Sequence, residues 1–225
     1  MLEQTHSHER ASLWLYTIAG ALVLAAVAAT VVSLGPLPPR VVVMSTGTPG
    51  SAYDLFARRY QAALKRSGVQ LRLLPSAGAV ENLRRLNDPR ANVSVAFAQV
   101  GLTSQAQSPG LESLGTMFFE PFWFFSRTPV VARLENLRGR KVSIGPEGSG
   151  TRALASRFLA LNGVEPSFAQ WLALPGAAAG DALLQGQIDA AAMVTSPDTE
   201  VVRRLLASSE VNIVGFPRAD AYVAL

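Results

Sequence analysis

The chain has 225 residues, 20 Lys+Arg against 16 Asp+Glu, a formal net charge of +4 and 49% hydrophobic residues, enough for one large domain or two small ones. It has no cysteine, and its two histidines, His6 and His8, precede the first apolar run. Disulfides and thiolate chemistry are therefore excluded, and so are Ser–His or Cys–His catalysis and His-ligated metals beyond that run; no catalytic residue, metal or cofactor is expected.

The basic residues are mostly arginines in scattered pairs: Arg58 and Arg59, Arg84 and Arg85, Arg138 and Arg140, Arg203 and Arg204. They sit among helix-like apolar spacings, as on solvated helix faces. A nucleic-acid partner, which needs a clustered basic face, is not expected.

Residues 1–10 form a polar tail. The run Ala11–Leu34 carries no charged residue and exceeds the roughly 20 residues that cross a bilayer. Trp14 and Tyr16 lie near one end, where interfacial aromatics are common. Ala26-Val27-Ala28 offers the small residues of a cleaved signal, but the length of the run favours an uncleaved transmembrane anchor. The expected location is the inner membrane, single-pass, with the main domain facing the periplasm. Cleavage would release the domain into the periplasm. Residues 35–40, Gly-Pro-Leu-Pro-Pro-Arg, read as a stiff linker.

From Val41 a rhythm of strand, small-residue turn and helix begins. Strand Val41–Met44 leads through Ser45–Tyr53 into a helix over about Ala52–Arg66. Strand Gln70–Leu74 leads through Pro75–Ala79 into a helix ending near Asp88. Strand Val93–Ala98 ends at Gln99. An aromatic stretch follows: Phe118, Phe119, Glu120, Pro121, Phe122, Trp123, Phe124 and Phe125. It is too apolar for one exposed loop and marks a boundary between two lobes, with the crossover near Phe125–Thr128.

The rhythm then restarts. Leu134–Gly139 is a short turn or helix, Val142–Ile144 a strand and Ala153–Leu161 a helix. A strand near Trp171–Leu174, helix Gly176–Gln185, strand Ile188–Val194, helix Asp198–Ala207 and strand Val211–Gly215 complete the pattern. Alternation of this kind predicts an α/β fold with parallel sheets.

The stretch Lys141–Arg152 places a helix start directly after a strand, with Ser149 or Thr151 available as N-cap or ligand hydroxyl. Unpaired N–H groups and the positive helix end suit an anion there. A nucleotide P-loop is excluded, because Thr151 stands where the phosphate-binding Lys would follow Gly150.

Six segments in order carry a family resemblance: Thr46–Tyr53 (Thr-Gly-Thr-Pro-Gly-Ser-Ala-Tyr), Gly78–Leu83 (Gly-Ala-Val-Glu-Asn-Leu), Val95–Gln99, Glu120-Pro121, Leu137–Thr151 and Gly186–Ala190. Across roughly residues 41–200 the chain resembles the TAXI-type solute-binding proteins, extracytoplasmic receptors of a class of TRAP transporter.

The resemblance implies a two-lobed periplasmic-binding-protein-like fold, with lobes over 41–126 and 127–225, closing on a small anionic solute. That solute would be an organic acid or amino acid, handed to TRAP membrane subunits. By position it implies ligand contacts from Gly47, Thr48, Gly50, Ser51 and Tyr53. Ala79, Val80 and Glu81 follow at the next helix start, then Gln99 and Glu120. Ser149, Gly150, Thr151, Thr195 and Ser196 belong to the second lobe.

Two departures stand out. Val100 occupies a position that is often acidic or polar in the family. Family chains also continue past the last strand and return to the first lobe, so a sequence ending at Leu225 reads as a fragment or a shortened variant. The alternatives are a membrane-tethered ligand-sensing domain without a transport role and an enzyme using carboxylates among Glu81, Glu120 and Glu147.

Overall fold

The computed structural model describes residues 3–33, 39–127 and 134–216. Most of the Pro-rich linker, the Thr128 end of the expected crossover and the terminal Ala219–Leu225 lie outside the described residues. The chain divides into two units, residues 1–40 and 41–225.

The first unit is helix α1, Glu3–Ser33. Its span Trp14–Ser33 is 20 residues long and apolar enough to cross a membrane, and at 1.5 Å per residue it matches a hydrocarbon core of about 30 Å. The hydroxyls of Thr17, Thr30 and Ser33 donate to Trp14, Ala26 and Ala29 carbonyls at 2.7–2.8 Å. Such bonds satisfy them without water, as an apolar surrounding requires.

The second unit holds two sheets. In the first, β1 (Val41–Ser45) lies between β2 (Gln70–Leu74) and β3 (Val95–Ala96), all parallel. Helix α2, Ala52–Arg66, is capped by Ser51, whose Oγ accepts the Asp54 N–H at 3.3 Å. Asp54 in turn accepts the Gly50 N–H at 3.1 Å. This reciprocal capping satisfies donors that a helix start leaves without partners. Tyr53 and Ala57 of α2 pack with Met44, Leu71 and Phe97, and the Tyr53 ring stacks on Phe97 at 5.0 Å.

Helix α3, Ala79–Leu86, follows β2. Its Asn82 is fully buried and joins three chain segments. The amide donates to the Thr46 carbonyl at 2.7 Å and the Phe97 carbonyl at 2.9 Å. Its oxygen accepts from Ser45 at 2.6 Å and Ser76 at 2.7 Å. The ends of β1, β2 and β3 are thus held by one side chain.

The second sheet has the order β6-β5-β7-β4-β8, with β4 Phe122–Ser126, β5 Lys141–Ser143, β6 Gln170–Leu172, β7 Ala190–Val194 and β8 Asn212–Ile213. Strands β5, β6 and β7 are parallel; β4 runs antiparallel to β7 and β8. Helices α4 (Gly150–Leu161), α5 (Gly176–Leu184) and α6 (Glu200–Ala207) cover it.

Alternation along β4 sends Phe124 into the core that holds Val142, Ile144 and Leu159, and Phe125 into the core that holds Leu183, Met193 and Val202. The aromatic run is therefore the spine of the second sheet. The expected boundary at 126/127 gives way to a change of sheet between β3 and β4, within the irregular residues 97–121. Strand pairing with β7 decides this, because the apolar period alone does not say which sheet a strand joins.

Replacing Asn82 by Ala leaves buried hydroxyl and carbonyl groups without partners. At about 1–3 kcal/mol for each buried group left unpaired, a loss of roughly 2–4 kcal/mol is expected from chemical unfolding followed by circular dichroism. A change below about 0.5 kcal/mol would show that the junction is not structural.

Candidate functional site

Parallel strands carry their C-terminal ends to one side of a sheet, and the helix that follows each strand begins there. That edge is where α/β sheets place ligands. In this protein the turns after β1, β2, β5, β6 and β7 all contribute to one cleft of about 90 Å³, space for a handful of waters and so for a small solute. The first turns of α2, α3, α4 and α5 line it through Ala52, Ala79, Gly150 and Gly176. Each presents the positive end of a helix dipole.

Of the residues expected from the sequence, Gly47, Thr48, Gly50, Ser51, Tyr53, Ala79, Gln99, Glu120, Ser149, Gly150, Thr151 and Thr195 line this cleft. Val80, Glu81 and Ser196 do not. Val80 is 38% exposed. The Glu81 carboxylate accepts the Ala77 N–H at 2.7 Å and pairs with Arg85, so it closes the start of α3. Ser196 accepts the Asp198 N–H at 3.2 Å and shapes the turn into α6.

The hydroxyls at the start of α4 are also engaged. Ser149 caps the helix, accepting the Arg152 N–H at 3.0 Å and donating to the Pro146 carbonyl at 2.7 Å. Thr151 accepts the Val194 N–H at 3.1 Å, tying α4 to the end of β7. The N–H groups of Gly150 and Thr151, ahead of the capped Arg152, have no intrahelical acceptor.

The two sheets approach across this cleft through backbone. The Glu81 N–H donates to the Gly148 carbonyl at 2.9 Å. A Cβ on Gly78 would lie 3.2 Å from Ser149 Cα, and one on Gly148 would lie 3.3 Å from Glu81 Cβ. Both glycines have positive φ, +138° and +80°. Glycine is needed at each for the turn and for the close approach.

The polar centre is Glu120. The Tyr53 hydroxyl donates to it at 2.9 Å and the Gln99 amide at 3.4 Å. Burial raises the Glu120 carboxyl above its ordinary value, against the two donors that favour its charge. Burial, with the neighbouring carboxylate, also pushes the Tyr53 phenol well above its ordinary range, so Tyr53 stays a donor. The Gln99 amide packs directly against Gly150, where any side chain would meet it.

Residues that sequence reasoning did not single out include Leu174, Pro175 and Gly176 at the start of α5, and Gly145 and Pro146 before α4. The turn after β6 repeats the strand–turn–helix pattern that identified the others. Asn82 was legible only as an amide at i+3 from Ala79, on the inward face of a short helix.

With its two sheets and the cleft at their strand ends, the unit has the fold of the periplasmic binding proteins. The chain belongs to the NMT1-like family, whose profile matches residues 44–224. A protein of Bordetella bronchiseptica RB50 shares the fold at 23% identity and a TM-score of 0.60, over 78% of this chain and 56% of that one. The alkanesulfonate-binding protein of Xanthomonas axonopodis pv. citri bound to MOPS aligns at 18% identity and 0.54, over 80% of this chain and 62% of its own. An ancestral arginine-binding protein bound to arginine aligns at 15% and 0.55, over 79% of each chain. The chain thus spans less than two thirds of the first two structures. No curated protein matches the sequence.

The raised Glu120 makes a pH test possible. A carboxyl raised in the folded state favours folding when protonated, and that stability is lost as pH rises from the ordinary value of 4.5 through the raised one. Glu120→Gln keeps an acceptor for Tyr53 but cannot ionise. Its Tm relative to the parent should move upward as pH rises from about 4.5 to 7, measured by thermal unfolding. A difference that is constant across that range would show that the site does not perturb Glu120.

Proposed function

We propose that residues 41–216 form an extracytoplasmic receptor that captures a small solute through an anionic group and delivers it to a membrane transporter. The observation that carries this reading is the convergence of helix starts from both sheets on one cleft, with Gly150 and Thr151 among its lining residues. Among the described lining residues Glu120 is the one carboxylate, and no His or Cys stands beside it. Its side-chain partners are Tyr53 and Gln99, and the pairing of two carboxylates, or of a carboxylate with His or Cys, that acid–base enzymes most often use is not what supports this reading.

Structural relatives named for alkanesulfonate and arginine binding support small charged solutes as the ligand class. A TRAP-type transporter as recipient rests on the six segments that resemble TAXI receptors. The two sheets act as lobes that close when the solute bridges them, since binding to both is realised only in the closed state. Helix α1 holds the receptor at the inner membrane with the binding unit in the periplasm.

Two measurements test this. After fractionation the full chain should remain in the membrane, with the binding unit open to protease only from the periplasmic side; a soluble form beginning near residue 29 would replace the anchor by a cleaved signal. Gly150 lies at the first helical position without positive φ, so Gly150→Val is tolerated by the backbone and meets chiefly the Gln99 side chain. Affinity for the solute that copurifies, read by native mass spectrometry and titration, should fall at least about tenfold, the loss expected when a hydrogen bond to a charged group is blocked. Unchanged affinity with the fold intact would reject this edge of the cleft as the anion site.

A further inference from the structure

Charge on the first sheet is segregated along its strands. Helices α2 and α3 carry Asp54 and Glu81 in their first turns, at the cleft end, and Lys65, Arg66, Arg84 and Arg85 in their last turns. Part of this offsets the helix dipoles. Arg40 has no helix end to offset; it is exposed and stands immediately before β1. Val41 pairs with Gln70 at the first register step of β1 and β2. The turn into β2 is tight, the Ser67, Gly68 and Val69 N–H groups donating to the Leu64 and Lys65 carbonyls at 2.9–3.2 Å. Arg40, Lys65 and Arg66 therefore share the N-terminal edge of the sheet, opposite the cleft.

All three are exposed. Neighbouring Arg58, Arg85 and Arg90 are paired with Asp54, Glu81 and Asp88, whereas Arg40, Lys65 and Arg66 have no acidic partner among the described residues. The edge thus holds positive charge that the protein itself does not balance.

The sequence adds a constraint of reach. The apolar span ends at Ser33, and Arg40 follows seven residues later. At no more than about 3.6 Å per residue, whatever the conformation between them, Arg40 stays within roughly 25 Å of the end of the span. The headgroup layer takes up about 5–8 Å of that distance. A tether this short keeps the edge at high effective concentration beside lipid, so a weak attraction suffices. Each Lys or Arg near an anionic bilayer surface favours contact about fivefold, and three favour it roughly 100-fold.

Resting on the anchored receptor proposed above, we propose that this edge docks on anionic phospholipid headgroups beside its own anchor. Arg40, Lys65 and Arg66 meet the phosphates, and the strand ends that form the cleft point away from the bilayer. The attraction is screened within about 8–10 Å at ordinary ionic strength. Salt, or loss of anionic lipid, therefore releases the edge.

The chain has no cysteine, so Ser67→Cys, at the exposed C-cap of α2, takes a single fluorophore. The labelled full chain is placed in nanodiscs of phosphatidylcholine, with and without phosphatidylglycerol, that carry a nitroxide quencher on the headgroup. At low salt, quenching should be at least about threefold stronger with phosphatidylglycerol. It should return to the phosphatidylcholine level near 1 M salt, where the screening length is about 3 Å. Lys65→Gln combined with Arg66→Gln should have the effect of salt; the salt titration of the parent stands by itself if that variant fails to fold. Equal quenching in the two lipids, or strong quenching that survives the double substitution, would overturn the docking and leave the receptor reading intact. A chain that co-elutes with neither kind of disc would count against both.

Discussion

Everything on the first-sheet side of the cleft depends on the side chain of Asn82. It is buried in α3 and makes four hydrogen bonds to Ser45, Thr46, Ser76 and Phe97. These atoms belong to the ends of three neighbouring strands, where backbone groups leave the sheet and lose their ladder partners. An unpaired buried group is costly, so the amide fixes the level at which each strand stops. Arg85 extends the junction, donating to Ser45 Oγ and to the Pro75 carbonyl, both at 2.9 Å. The turns that reach the cleft start from this fixed edge.

The second sheet reaches the same end by different means. Its spine is β4, whose phenylalanines fill the cores on both faces, and Trp123 donates to the Thr195 carbonyl at 2.9 Å, anchoring the turn after β7. Thr151 and Ser149 secure α4 by bonds within the frame. With these hydroxyls engaged, the remaining polar lining of the cleft includes Thr48, Thr195, the residues at the helix starts and the Glu120–Tyr53–Gln99 cluster. In the receptor proposed above, backbone donors held by a rigid helix would need no reorganisation when a charged group arrives.

Glu120 has the opposite character. Burial raises its carboxyl while Tyr53 and Gln99 pull toward the charged form, so the ionised group is held partly desolvated. Keeping such a group at the mouth of a cleft costs stability, and groups of this kind concentrate at functional sites. A hydrogen-bond donor brought to that carboxylate would relieve part of the cost. The backbone bond from Glu81 to Gly148, at 2.9 Å, joins the α3 side of the first sheet to the turn before α4 of the second.

The sequence by itself determined the elements and most of the turns that line the cleft. Apolar runs of strand length, small-residue turns and amphipathic spacing placed nearly every strand and helix, and the uncharged span around Trp14–Ser33 marked a helix able to cross a membrane. A cap at Ser149 or Thr151 was legible because capping is local, set within three residues, and Ser149 takes the role. Tertiary structure alone decided the rest. Whether Phe122–Ser126 joined the first or second sheet depended on its pairing with Ala190–Val194, a contact no local pattern encodes. Glu81 faced the frame and Glu120 the cleft because Arg85 and Ala77 lay beside one and Tyr53 and Gln99 beside the other. Identical carboxylates take their role from the neighbours that long-range folding brings to them.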